Sequence, residues 1–276
     1  MDLSGKTILI TGSTDGLGKA VAIMAAAQGA RVLLHGRSEA KGAAALAEIR
    51  EATGNEALEF FRADLASLDE VRALAAAVKA AHGRLDGLVN NAGIALFAAD
   101  QGREESRDGH ELHFAVNYLA PFLLTRLLLD ALKAAAPSRI VNVASVGQAP
   151  IDFEDVMLAR DYSGRRGYSQ SKLAQIMFTI DLAERLKGTG VTVTALHPAT
   201  FMATNMVVGA GFAPISTIRD GAEPTFRLIA SDEVEGETGL YYNQFNPARA
   251  NDQAYDAAAR ARLWSLSSVL AGLPED

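Results

Sequence analysis

Short apolar runs and stretches of helical periodicity alternate from the first residues onward. Residues 7–10, 31–34, 58–62, 85–90, 139–144 and 191–197 read as buried strands, and 240–242 as a short seventh. Between and after them, residues 16–28, 38–52, 67–81, 111–135, 167–187, 222–230 and 263–270 carry helical patterns. The cleanest is 67–81, where Leu68, Val71, Leu74 and Val78 recur on one face and Ser67 and Glu70 form an S-x-x-E capping box. Pro121, inside 111–135, removes a backbone donor and predicts a kink. Strands that alternate with helices pair in parallel through right-handed crossovers. The pattern predicts one doubly wound α/β domain over residues 1–276, with a mostly parallel sheet of about seven strands and helices on both faces. Residues 146–166 and 199–219 are the least regular, and long loops in such a fold carry function.

Charge and composition then remove whole classes of chemistry. With 26 Lys and Arg against 33 Asp and Glu, the net charge is −7, which argues against a duplex nucleic-acid partner but leaves room for a local anion pocket. The chain has no cysteine, so disulfides, thiolate metal sites and cysteine nucleophiles are excluded. The longest unbroken apolar stretch, residues 20–27, is far short of the roughly 20 residues of a membrane span, and the N-terminus lacks a basic segment followed by an apolar one. These features predict a cytoplasmic protein with no membrane span.

The first strand runs into T-G-S-T-D-G-L-G, residues 11–18, which opens the first helix. Gly12 permits a tight turn, Gly16 close approach of backbone to a pyrophosphate, and Gly18 close packing of helix on sheet, while the helix N-terminus offers unpaired N–H groups and partial positive charge. An ordinary glycine-rich βα turn is the alternative.

Four further signals follow in order. Asn91, Ala92 and Gly93 complete N-N-A-G after the fourth strand. Asn117 lies in A-V-N-Y, Ser145 closes the fifth strand, and Tyr168 and Lys172 form Y-x-x-x-K. Tyr168 and Lys172, four apart, share one helix face. A free tyrosine, with a pKa of about 10, is a poor base at neutral pH, and a nearby ammonium favours its phenolate. Tyr168 then exchanges a proton with a carbonyl or alcohol oxygen that Ser145 orients by a hydrogen bond. Taken alone, Asn117 equally suits a bond to a main-chain carbonyl, Ser145 a strand-ending turn, and Tyr168 with Lys172 an exposed face.

Together these motifs resemble the short-chain dehydrogenase/reductase family over about residues 5 to 245. The resemblance implies a Rossmann-type fold and hydride transfer between a nicotinamide and a carbonyl or a primary or secondary alcohol. It implies that Lys172 also bonds the nicotinamide ribose and that Asn117 holds a water in a proton relay. It implies cofactor contacts from Gly12, Ser13, Thr14, Asp15, Gly16, Leu17, Gly18, Asp64, Leu65, Asn91, Ala92, Gly93, Tyr168, Lys172, Pro198, Thr200 and Phe201. It also implies a homodimer or homotetramer, often paired through the Tyr168 helix, so Met177, Phe178 and Ile180 suit either core or interface. Two departures stand out. Ser145 and Tyr168 lie 23 positions apart, longer than the commonest spacing, with an insertion around residues 151–156 that resembles the retinol-dehydrogenase-like and protochlorophyllide-reductase-like branches. Ala199 also replaces the usual glycine after Pro198.

Cofactor choice turns on the end of the second strand, where Gly36 replaces an acidic ribose-binding residue and Arg37 follows. A small residue leaves room for a 2′-phosphate and arginine pairs with it, so NADP(H) is expected, with NAD(H) the alternative. Asp15 argues the other way, and Arg37 also suits a solvated charge. Asp64 suits either an adenine contact or a turn before a helix. His110 and His113 lack the company of a metal site, so no metal is expected. His197 suits a structural hydrogen bond, and Trp264 and Leu266 suit packing on the domain. Phe201, Met202, Met206, Val207, Val208 and Phe212 make 199–219 an apolar substrate loop, which points to a hydrophobic substrate. An NADP(H)-dependent oxidoreductase is the leading expectation. A catalytically silent nucleotide-binding sensor or scaffold is the alternative.

Overall fold

The alternating signals resolve into parallel strands and crossover helices in a computed structural model that describes residues 2–97 and 102–274. In chain order the main elements are β1 (Thr7–Ile10), α1 (Gly16–Ala27), β2 (Arg31–Gly36), α2 (Glu39–Thr53), β3 (Leu58–Arg62), α3 (Leu68–Ala81) and β4 (Gly87–Asn90). A π-helical turn (Phe114–Leu119) leads into α4 (Ala120–Ala134), followed by β5 (Ser138–Val143), α5 (Gly164–Arg185) and β6 (Val191–His197). The chain ends with α6 (Asn205–Gly209), α7 (Ile218–Ala230), β7 (Leu240–Asn243), β8 (Asn246–Pro247) and α8 (Ala257–Leu270). Strand order is β3-β2-β1-β4-β5-β6-β7-β8. All pairs are parallel except β7–β8. The sheet thus has eight strands where about seven were expected; the extra one is a two-residue antiparallel edge too short to leave a periodic signal.

Strand alternation divides the core in two. Leu9, Leu33, Leu88 and Ile140 face the layer of α3, α4, α5 and α8. Ile8, Ile10, Val32, Leu34 and Val141 face the layer of α1, α2 and α7. Each such aliphatic side chain contributes about 1.5–3 kcal/mol by leaving water. Met177 and Phe178 on α5 are buried within the chain, and the α8 side chain Trp264 packs on Phe178 at 6.0 Å between ring centroids. That face of α5 is therefore core.

Three local expectations change. The disturbance expected at Pro121 takes the form of the π turn before it: the Ala120 N–H reaches back to the Ala115 carbonyl. Pro121 then falls in the first turn of α4, where no donor is missed. The capping box at Ser67 is half made. Ser67 accepts from the Glu70 N–H, but the Glu70 carboxylate turns to the Asp64 N–H at 2.8 Å. A full box forms instead at Thr217 and Asp220, starting α7 inside the segment expected as loop.

Candidate active site

The doubly wound order places β1 between β2 and β4, so crossovers on either side of it run to opposite faces and leave a crevice at the strands' C-terminal ends. Its floor is the glycine-rich turn. Gly12 has φ of 65°, and a Cβ there would lie 2.9 Å from the Ala92 Cα. A Cβ on Gly18 would lie 2.4 Å from the Gly12 carbonyl oxygen, so α1 packs directly on the turn. The Asn91 amide donates to the Thr11 carbonyl at 2.8 Å and the Gly12 carbonyl at 3.1 Å, and the Thr11 hydroxyl accepts from the Asn91 and Ala92 N–H groups.

His35, on β2, completes this floor without any motif to announce it. Its Nδ1 accepts from the Gly12 N–H at 3.1 Å, which leaves Nε2 to donate to the Ala63 carbonyl at 3.2 Å. Burial pulls its pKa down to about 4, so the ring is neutral at pH 7. Ser13 also turns inward, accepting from the His35 N–H and donating to the Ile10 carbonyl.

Above the floor is a cavity of about 580 Å³. Of the catalytic and cofactor residues expected from sequence, Ser13 and Asn117 stand behind its wall and the others line it; of the apolar loop residues, Phe201, Met202, Met206, Val207 and Phe212 line it, while Val208 is exposed outside it. Arg37 is exposed at its rim. A Cβ on Gly36 would meet the Thr14 methyl at 2.7 Å, so a larger residue there would have to displace the Thr14 side chain. Asp64 makes the turn contact, accepting from the Ala66 N–H at 3.0 Å, and also lines the cavity. Asp15 caps α1 by accepting from the Gly16 N–H at 2.7 Å, and Asn205 donates to its other oxygen. The 199–219 segment is thus fastened to the glycine-rich turn. A Cβ on Gly16 would lie 3.2 Å from the Thr204 methyl of that segment.

At the other end of the cavity, β5 delivers Ser145 and α5 delivers Tyr168 and Lys172. The Ser145 hydroxyl accepts from the Gly147 N–H at 3.0 Å and lies beside the Tyr168 phenol, whose pKa it lowers against the effect of burial. Lys172 is buried, donating to the Val143 carbonyl at 2.8 Å and to Gln175 Oε1 at 3.0 Å, with Nζ 5.7 Å from the Tyr168 ring centroid. Burial acts on both groups: it pushes the Lys172 pKa down to about 7 and raises that of Tyr168. The expected lowering of the tyrosine by an ammonium therefore gives way to desolvation of both charged forms. Asn117 takes the main-chain role, its Oδ1 accepting from the Ile94 N–H at 2.7 Å and its Nδ2 donating to the Ile94 carbonyl and to Ser171 Oγ. His197 Nε2 bonds Thr200 Oγ1 at 2.9 Å, and burial, with Lys172 nearby, pulls its pKa down to about 4.

An aromatic wall joins the apolar loop to this group. Phe201, held at φ of 45°, stacks on Phe212 at 4.6 Å. Phe212 meets Phe97 edge-on at 5.8 Å, and Phe97 meets Tyr168 edge-on at 5.1 Å. Sequence reasoning missed His35, Gln175 and Phe97. His35 and Phe97 act through partners that only the fold brings near, whereas Gln175 stands one helical turn after Lys172, a spacing present in the sequence.

Residues 6–211 match the model of the short chain dehydrogenase family. Mouse retinol dehydrogenase 13 is 38% identical over 98% of this chain and 85% of its own length, and human retinol dehydrogenase 11 is 36% identical over 100% and 89%. Among solved structures, an uncharacterized protein from Mycobacterium paratuberculosis aligns with a TM-score of 0.81 at 30% identity, over 99% of this chain and 95% of its own. A short chain dehydrogenase from Escherichia coli CFT073, solved in complex with NADPH, aligns with a TM-score of 0.72 at 26% identity, over 88% and 97%.

Proposed function

The chain belongs to the short chain dehydrogenase family, in its retinol-dehydrogenase-like branch, and from that premise we propose an NADP(H)-dependent enzyme that interconverts a hydrophobic carbonyl compound and its alcohol. NAD(P)-dependent oxidoreductase activity comes with the family. The observation that carries the finer reading is the meeting of Ser145, Tyr168 and Lys172 at one end of a cavity floored by the glycine-rich turn.

The residues present fit a nicotinamide dinucleotide. Gly12 and Gly18 stand where any Cβ would collide with the turn or its neighbours, which keeps the floor bare backbone at the N-terminus of α1, suited to a pyrophosphate. Gly36 and Arg37 at the rim suit a 2′-phosphate, and the NADPH-bound relative supports that choice. The cofactor, when bound, supplies or takes up the hydride.

The chain's own residues handle the oxygen. The Ser145 hydroxyl orients it, and Tyr168 gives it a proton in reduction or takes one in oxidation. A phenol whose pKa is raised by burial stays protonated at neutral pH, which suits it to donate during carbonyl reduction. Lys172, beneath the ring, stabilises negative charge on the phenol in the fraction that is protonated, and Val143 and Gln175 hold its ammonium in place. The aromatic wall and the names of the relatives support an apolar substrate. The apolar helix Phe114–Ala134 is long enough to cross a membrane but is mostly buried in this fold, as a core helix is.

An NADPH-oxidation screen over aldehydes, ketones, quinones and retinoids tests the reading, together with Tyr168→Phe. The expected result is turnover by the parent, with kcat/KM higher for NADPH than NADH. The variant should bind NADPH but lose turnover by roughly a hundredfold or more. Full turnover in Tyr168→Phe would remove Tyr168 from the mechanism. NADPH binding with no turnover of any substrate would favour a silent sensor.

A further inference from the structure

Behind Tyr168 lie two fully buried titratable groups that the proton chemistry does not use. Glu111 and His113 are 1% and 0% exposed. His113 Nδ1 and Glu111 Oε1 are 2.8 Å apart, and Glu111 Oε2 accepts from the Phe114 N–H at 2.7 Å. His113 Nε2 lies 3.0 Å from the Leu96 N–H, which can only donate. Nε2 is therefore unprotonated and Nδ1 carries the proton toward the carboxylate, so one tautomer is fixed.

This pair grips the strap that follows β4. Asn117 holds the strap at both polar atoms of Ile94, and His113, four residues earlier on the same helical segment, holds it at Leu96. The strap's next residue, Phe97, stands edge-on to Tyr168 at 5.1 Å, and the His113 ring itself meets Tyr168 edge-on at 6.4 Å. The turn of α5 that precedes Tyr168 is fitted to the same parts by two glycines. A Cβ on Gly164 would fall 1.8 Å from the Leu96 carbonyl oxygen, and one on Gly167 would fall 2.9 Å from Glu111 Oε1 and 3.0 Å from His113 Nδ1. Strap, pair and helix start thus pack backbone to side chain with no room to slide.

We propose that Glu111 and His113 are positioning residues for the reaction, fixing the Tyr168 ring through the Leu96–Phe97 strap and the first turn of α5. A bond from a buried carboxylate through a fixed imidazole to a backbone N–H is stiff, because loosening it strands three polar groups away from water. A misplacement of about 1 Å at a reacting group costs up to a hundredfold in rate. The inference rests on Tyr168 being the proton-handling group, and its test separates the two.

The test uses the full chain carrying 3-fluorotyrosine, with the Tyr168 ¹⁹F signal assigned by its loss in Tyr168→Phe. Kinetics follow whichever carbonyl compound the NADPH screen finds to turn over. His113→Phe keeps the ring shape but takes away the partner of Glu111 Oε1 and of the Leu96 N–H. It should split or broaden the Tyr168 signal and lower kcat about tenfold or more, with the Kd for NADPH within about twofold of the parent. His113→Gln, whose amide oxygen can accept from Leu96, should restore a single line and most of kcat. If His113→Phe does not fold, Phe97→Leu decides, since it removes the ring edge from Tyr168 without stranding a buried charge. That variant should lower kcat more than it raises KM and shift the same signal. An unchanged line and unchanged kcat in the folded variants would overturn the inference even where Tyr168→Phe is dead. Equal losses in His113→Phe and His113→Gln would overturn it too, by showing that packing alone matters there.

Discussion

At the scale of single residues, His35 shows what a buried imidazole does for the cofactor floor. It holds the Gly12 N–H only while Nδ1 is unprotonated. Its folded pKa of about 4 lies below the ordinary value of 6.5, so between those values the unfolded chain binds a proton that the folded chain does not. The stability this contributes is complete above about pH 6.5 and is lost as pH falls toward 4. At about 1.4 kcal/mol per unit, the loss is on the order of 3 kcal/mol. Urea unfolding from pH 7.5 to 4.5 should show that decline together with one from His197, whose pKa is also pulled down to about 4, and His35→Asn, which keeps an acceptor for Gly12, should remove the His35 part and make the slope shallower. Parallel curves for the two proteins would assign the decline to other groups. His35 also marks the limit of what a sequence tells at this scale. The placement of Ser145, Tyr168 and Lys172 around one cavity is legible because a strand end and a one-turn helical spacing can be read from sequence. His35 reaches Gly12 and Ala63 across the sheet, so that contact has no spacing to read, while Gln175 is three residues from Lys172 on one helix and only the burial that turns the lysine toward it is hidden from the sequence.

At the scale of elements, the alternation of runs and helical patterns was enough to place the strands, because a buried parallel strand must be apolar throughout. The irregular segments were less legible. The T-x-x-D signature at Thr217 starts α7 at Ile218, two residues inside the segment taken for loop, and Pro121 marks a disturbance without telling that it takes the form of a π turn before it. The loop that carries α6 is fastened by Asn205 to Asp15, the cap of α1, so cofactor floor and lid share one carboxylate. Asn205→Ala should loosen the lid while leaving Asp15 to cap α1. A solvent-facing hydrogen bond of about 0.5–1.5 kcal/mol translates into NADPH dissociation roughly two- to tenfold faster. Stopped-flow nucleotide fluorescence measures this, and an unchanged rate would mean that the lid is held by its apolar contacts alone.

At the scale of the whole molecule, the two core layers share one sheet, and α8 closes the larger of them. Trp264, the chain's single tryptophan, is 6% exposed, meets Phe122 edge-on at 5.3 Å and lies under the Arg185 guanidinium at 3.8 Å. Phe122 and Phe178, which it covers, sit on α4 and α5, and α5 also carries Tyr168 and Lys172. Docking of α8 is therefore tied to the rigidity of α5, and the domain should unfold as one unit. A single tryptophan makes this measurable, since its fluorescence reports α8 while far-UV circular dichroism reports all the helices. The two should trace one coincident urea transition. Trp264→Ala should shift the transition by about 3–5 kcal/mol, the cost of deleting a large buried aromatic. A fluorescence change that precedes the loss of helix would show instead that α8 is a separable appendage and that the sheet with its other helices stands without it.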